Sequence, residues 1–418
     1  MPEKRVPTPH SVLHLHGGGA LILSQLLKCT VIEDVTGARI WDIFPTVMAD
    51  SGGTILALCL HEIPARDLLQ TYMESIPESL PQKGFFFTQP LPVTANRFDP
   101  NHLEGTLRKI LGDKKLGDVR GNLLVHTHSL ENGAGRLGKI TASDGHTSYY
   151  NTDGNHSLVD IALSASAVPG IMPDYDGYID PIATQNPTAI FVKLKDAFPD
   201  TPFHYLQLGS IHDQQVGNSL TQGSFLGGLF RGRFLRYTAF HANSLHLHDL
   251  NFAYDNVTTH SLVTDTRTPF QSTNNSIKQR TLLSIETLDD IERRSDEYEV
   301  LCLGLRENIL HHTGSFMGIT QSVSDVRAQV DPFMFKGKIV TDDPDSVPPS
   351  FPSPDIIPLQ QSPQYIFGYA AGYIIGNALS HTKGTLTRAF KDVLASWEPK
   401  LFPKLERDST VSKDTRAP

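Results

Sequence analysis

Apolar and polar residues along this chain repeat with two different periods, and the switches between them mark its elements. VLHLH (12–16) is a short β-branched and apolar run that reads as a strand and ends in Gly17-Gly18-Gly19. ALILSQLLKCTVIEDVTG (20–37) then carries apolar residues at helical spacing and stops at Gly37, a suitable C-cap. IWDIFPTVMAD (40–50) reads as a second buried strand and closes on Ser51-Gly52-Gly53, after which 54–63 and 65–76 return to helical spacing. The order strand, glycine loop, helix, strand, Ser-Gly-Gly, helix predicts a βαβα unit. Such units build a parallel sheet with helices on its faces. Further strands are expected at 121–130, 136–143, 188–194 and 203–209. Helices are expected at 102–111 and 157–165, and a long one at 282–313 closes the main domain. Residues 217–281 are polar and give no clear element.

Beyond this domain the pattern changes. Residues 342–363 contain seven prolines and read as an extended linker. Residues 364–405 follow as a small helical segment, with Gly368, Gly372 and Gly376 at four-residue spacing suited to close helix packing. Its apolar stretch is shorter than the roughly 20 residues a membrane span needs. Leu386, Phe390, Val393, Leu394 and Trp397 form a helical stripe expected to dock on the core. Residues 406–418 read as a disordered tail.

Composition narrows the function classes. Of 418 residues 39% are hydrophobic and 19% charged, as in soluble globular proteins, and the length allows a large α/β domain with an appendage. The formal charge of -9 offers no basic face, so nucleic acid is not an expected partner. The three cysteines, Cys29, Cys59 and Cys302, are too few and too scattered for a disulfide framework or zinc ribbon, which fits a reducing compartment. No cleavable export signal is read at the N-terminus, so a cytoplasmic or peripheral-membrane location is expected, with secretion by another route left open.

The chemistry centres on Ser51. A serine between a buried strand and a helix, flanked by Ala49 two before and Gly53 two after, fits a sharp turn whose arms nearly touch. The helix that starts at Gly52 aims free N–H groups at such a site. Gly17, Gly18 and Gly19 end the preceding strand, so their loop should emerge beside Ser51 at the same sheet edge. Their amides can then act as oxyanion donors. Either feature alone is more often an ordinary turn; the pairing at this spacing favours catalysis. HGGGAL lacks the glycine spacing of a dinucleotide site, and no Walker A motif is present. His14/His16 and His126/His128 place two imidazoles on one strand face without a third ligand, so no metal site is expected. Asp50 reads as a turn residue.

The block HGGGALILSQLLKCTVIEDVTGARIWDIFPTVMADSGGTILALCL resembles the opening of patatin-like phospholipases in motif order and spacing. There a glycine loop precedes a G-x-S-x-G nucleophile. ILGDKKLGDVRGNLLVHTHSLENG looks like the family's middle strand region. LVDIALSASAVPGIMPDYDGYIDPIATQNPTAI is similar to the block that carries its aspartate, and FHYLQLGS to the strand that follows. The resemblance spans roughly residues 10–310. It implies a Ser51–Asp180 dyad, with Gly17, Gly18, Gly19 and Gly52 supplying oxyanion amides and no histidine, metal or cofactor. The chain departs from the pattern at Leu21, where an arginine is expected, at Ala49, and at Pro181-Ile182, where two glycines follow the aspartate. Asp176-Gly177 offers an alternative base with poorer spacing to Asn186-Pro187.

The expected fold is a three-layer α/β/α patatin-like domain over 10–315 with a central, mostly parallel sheet, plus the helical C-terminal extension. The expected activity is a phospholipase A type acyl hydrolase on phospholipid or neutral lipid, in transient contact with a membrane surface. A protein activator is possible. Two rivals stand beside it. One is a catalytically silent fold that binds lipid or a partner. The other is an α/β-hydrolase triad, in which His16-Gly17-Gly18-Gly19 supplies the oxyanion motif and His241, His246, His248, His311 or His312 the late histidine.

Overall fold

The computed structural model describes residues 9–79, 100–131, 133–168, 172–181, 187–211, 256–265, 277–306, 309–310, 316 and 321–334. The linker at 342–363, the helical segment at 364–405 and the tail at 406–418 lie outside them.

The opening follows the sequence pattern. Strand β1 (His10–Leu15) leads through the glycine loop to α1 (Ile22–Thr36). Gly37 closes that helix with φ 68° and its N–H on the Glu33 carbonyl at 2.7 Å, a left-handed cap that glycine adopts without strain. A short helical turn α2 (Ile40–Ile43) takes up the first part of the run read as strand, leaving β2 (Thr46–Asp50). Helices α3 (Ser51–Glu62), α4 (Ala65–Ser79) and α5 (Pro100–Leu111) follow. Then come β3 (Asn122–Ser129), β4 (Gly133–Thr141), β5 (Thr147–Tyr150), α6 (Leu158–Ser166) and β6 (Tyr178–Ile179). Helix α7 (Pro187–Ala197), β7 (Phe203–Ile211), β8 (Val257–Asp265), α8 (Ile277–Arg293), α9 (Ser295–Gly304) and α10 (Val323–Met334) complete the described elements.

The sheet runs β5-β4-β3-β2-β1-β7-β8, with β6 added against β3. Neighbours from β3 through β8 are parallel, while β4, β5 and β6 join antiparallel. Helices cover both faces, so this is a three-layer α/β fold with a mostly parallel sheet. One face packs Leu13, Leu15, Val47, Val125 and Leu206 against α1, α3 and α6. The other packs Val12, Met48, Leu124, Phe203 and Tyr205 against Phe191, Leu194 and Phe198. Helix α1 is buried almost all round, and even Lys28 is fully enclosed, its Nζ donating to the carbonyls of Gly209 at 2.5 Å and Leu262 at 2.6 Å. Those bonds tie the helix to β7 and β8.

Three expectations need correction. The run at 188–194 is helix, not strand: Pro187 starts it, where a missing N–H costs nothing, and Phe191, Leu194 and Phe198 recur at helical spacing on the sheet. Strand β8 arises inside the region that gave no clear element; its TTHS run is polar throughout, as a strand at the end of the described sheet permits. The packed unit also continues past 315, since Val323, Val326 and Val330 of α10 belong to the main core.

Candidate functional site

Strands β1 and β2 are parallel neighbours, and β1 is flanked on its other side by β7. Chain direction therefore diverges around β1, and the crevice outside the strand ends at such a point is where open α/β sheets place their sites. The glycine loop and Ser51 both emerge there.

Ser51 has φ 48°, a left-handed conformation rare for a residue with a Cβ, and it is 8% exposed at the first position of α3. That is the strained strand-to-helix turn expected from the sequence. Its arms do nearly touch. A Cβ on Gly53 would lie 2.1 Å from the Leu15 carbonyl oxygen and 2.7 Å from that of His16. A Cβ on Gly17 would lie 2.6 Å from the Ser51 Cβ and 3.3 Å from its Oγ. A Cβ on Gly52 would meet the Gly19 nitrogen at 3.3 Å. Backbone thus packs on backbone around Ser51, which only glycine allows. Ala49, two before the serine, is accommodated at the end of β2 opposite Leu15.

Strand register relates Ser51 to Asp180. Strand β2 ends with Asp50 opposite His126 of β3, so Ser51 follows one step on, level with Thr127. Strand β6 runs the other way, with Ile179 opposite His128, so Asp180 also comes level with Thr127. The far edge of β3 at His128 and Ser129 is taken by β4, which puts β6 on the edge that β2 has just left. The two segments meet head-on along one edge of one strand. Asp180 is 2% exposed, and its N–H is held by the Ala167 carbonyl just beyond α6 at 3.0 Å. Asp176 sits elsewhere. With Gly177 (φ 51° and 74°) it makes the tight turn of a hairpin whose Tyr175 and Tyr178 exchange both backbone bonds, and it is exposed. Ile182, Asn186 and the histidines at 241, 246, 248, 311 and 312 lie outside the described residues.

The reading of Asp50 as a turn residue is corrected. It occupies the N-cap position of α3 without bonding the helix, and it is 1% exposed. Its Oδ1 accepts the Gly17 N–H; its Oδ2 lies 3.3 Å from His14 Nε2 and 3.4 Å from His16 Nδ1. The Tyr205 hydroxyl meets His14 Nδ1, and the Gln207 amide meets His16 Nε2. Burial, with His16 beside it, pushes His14 down to about 4, so its ring is neutral at pH 7. Burial alone would raise the Asp50 carboxyl; bonding and charge from the two histidines outweigh it and hold the carboxyl well below its usual range. The Gly17 amide is therefore engaged and is not a free oxyanion donor, contrary to the sequence expectation. Gly18 and Gly19 N–H make no hydrogen bond among the described residues. The first-turn amides of α3, that of Gly52 included, have no acceptor from Asp50.

His14, His16 and Asp50 each present one ligand atom, all within 4.8 Å of one another. The donor set suits a late first-row divalent ion, but the outer ring nitrogens and both carboxylate oxygens already have partners within the protein. The signal for this cluster was in the sequence: the strand period puts His14 and His16 on one face, and His16 is level with Asp50. What the sequence lacked was the pairing of β1 with β2 and β7.

No family model matches the chain. A stretch of 178 residues, 39% of the chain, is 26% identical to "Patatin-like protein 1" of Oryza sativa subsp. indica and spans 42% of that protein. The chain thus covers less than half the length of this curated relative. Among solved structures, VipD from Legionella pneumophila aligns over 94% of this chain and 88% of its own, at 13% identity and a TM-score of 0.28.

Proposed function

We propose that this chain is a serine acyl hydrolase of the patatin-like kind that cleaves carboxylic ester bonds in lipids, phospholipid first and neutral glyceride next. Ser51 attacks the acyl carbonyl and Asp180 accepts its proton. The amides of Gly18, Gly19 and Gly52 stabilise the oxyanion, and water then releases the fatty acid from the acyl-enzyme. The observation that carries this reading is the meeting of β2 and β6 along one edge of β3, which leads Ser51 and Asp180 to the same level. The left-handed Ser51 and the glycine backbone packed around it support the nucleophile role. The partial match to a patatin-like protein supports the reaction class. Because the match is partial, lipid substrate, membrane-surface contact and any activator belong to the same proposal. Among the described residues no helix is long and apolar enough to cross a membrane.

The test is labelling of the full chain with a fluorescent fluorophosphonate, which traps activated serines. Wild type labels, while Ser51→Ala and Asp180→Asn do not, and released fatty acid from phosphatidylcholine vesicles follows the same order. A folded wild type that takes no label, yet binds vesicles equally well with and without Ser51→Ala, refutes hydrolysis in favour of a silent lipid-binding fold.

A further inference from the structure

An aspartate at the N-cap ordinarily turns its carboxylate onto the first amides of its own helix. Asp50 does not: α3 receives no side-chain cap, and the carboxylate reaches across to the neighbouring strand's loop and takes the Gly17 N–H. This has two consequences for the site. The first-turn amides of α3 keep no acceptor from the protein side chain that stands closest in sequence. The glycine loop is fastened at its first residue, which lies directly on Ser51, with the Gly17 Cβ position 3.3 Å from Ser51 Oγ. A second bond, from Gln25 Nε2 to the His16 carbonyl at 2.6 Å, holds the residue just before the loop. The Asp50 carboxylate is in turn flanked by two imidazoles, 3.9 Å between ring centroids and tilted 49° to each other, each with an outer partner on β7.

We propose that Asp50, braced by His14–Tyr205 and His16–Gln207, is a positioning residue that fastens the glycine loop over Ser51 and so sets where the Gly18 and Gly19 amides stand. The catalytic part of this inference rests on the acyl-hydrolase reading; the anchoring part does not. Proton bookkeeping along the network is consistent with the role. Neutral His14 donates from Nε2 to Asp50 and accepts the Tyr205 hydroxyl at Nδ1. His16 accepts the Gln207 amide at Nε2 and stands with Nδ1 3.4 Å from the same carboxylate. Two donors, the Gly17 N–H and His14 Nε2, thus converge on one ionised carboxylate, which suits an acceptor that must not move.

The experiment compares full-length wild type, Asp50→Ala and Asp50→Asn by two readouts. Hydrogen exchange of the peptide spanning residues 15–21 reports the anchor without any substrate. Hydrolysis of p-nitrophenyl butyrate reports kcat and KM separately. Asp50→Ala is expected to speed loop exchange at least about tenfold and to lower kcat about 10²-fold with KM within about threefold, the signature of misplaced oxyanion donors. Asp50→Asn keeps an oxygen for the Gly17 N–H and is expected to recover most of both, staying within about tenfold of wild type. A purely structural role predicts instead that both variants lose active fraction while surviving molecules keep the wild-type kcat, measured against fluorophosphonate-titrated sites. Folded Asp50→Ala with wild-type loop exchange overturns the proposal. If Asp50→Ala does not fold, Asp50→Ser takes its place, since its hydroxyl is too short to take the Gly17 N–H: loop exchange and kcat both equal to wild type overturn the proposal. If wild type neither labels nor hydrolyses, the acyl-hydrolase reading fails while the exchange comparison still tests the anchor.

Discussion

Replacing Gly53 with alanine asks whether the contact between α3 and β1 is as close as the geometry says. Gly53 and Gly105 both lie inside helices, α3 and α5, and neither has a left-handed φ. In a helix, alanine is favoured over glycine by about 1 kcal/mol. At Gly105 nothing stands within 4 Å of the added carbon, so Gly105→Ala should stabilise the protein by about 0.5–1 kcal/mol. At Gly53 the same carbon would meet the Leu15 carbonyl oxygen at 2.1 Å and its carbon at 2.6 Å, both backbone. Relief needs α3 and β1 to part by about 1 Å, since carbon–oxygen contacts settle near about 3.3 Å. Overpacking of this kind costs about 1–3 kcal/mol and outweighs the propensity gain. The movement also separates Ser51 from the glycine loop, and a displacement of about 1 Å lowers reactivity about 10²-fold. Urea denaturation should therefore move the midpoint in opposite directions for the two variants, with slower fluorophosphonate labelling only in Gly53→Ala. Equal midpoints for Gly53→Ala and wild type, with unchanged labelling, would refute the close approach and with it the account of why glycine stands two residues after the serine.

Two further expectations concern the same site. Ser51→Gly should stabilise the fold by about 1 kcal/mol while abolishing labelling, because glycine adopts φ 48° without the strain serine carries; calorimetry beside the labelling gel checks both. Acid should weaken the fold in a defined window. His14 is held at about 4 against 6.5 when unfolded, so the unfolded chain gains a proton first as pH falls from 6.5 to 4; the drop corresponds to about 3 kcal/mol. Asp50, held below its usual range, adds to the loss only below about pH 4, where its unfolded form protonates. Chemical denaturation between pH 7 and 4 should show the first loss in wild type and a flatter profile in His14→Gln.

Much of the site could be read from residue order alone. Strand, glycine loop, helix, strand, Ser-Gly-Gly is a local grammar: each step is fixed by periodicity and by glycines that tolerate close backbone, and it led to Ser51 and the loop at 17–19. The helix after Gly52, the cap at Gly37 and strands β3, β4 and β7 are local in the same sense. The run at 188–194 was not, because a short apolar stretch fits a buried strand or a helix face equally, and only the sheet surface beneath Phe191 and Leu194 decides. Nor could residue order show that β6 would occupy the edge of β3 that β2 vacates, since pairing across some 50 residues is a property of register in three dimensions. The role of Asp50 was hidden for the same reason. One residue from the serine it reads as a turn; its chemistry appears only when β1 and β7 bring His14, His16, Tyr205 and Gln207 around it. Local periodicity thus determined where Ser51 and the glycine loop would sit, while the sheet, by ordering its strands, decided what surrounds Asp50 and along which edge β6 carries Asp180.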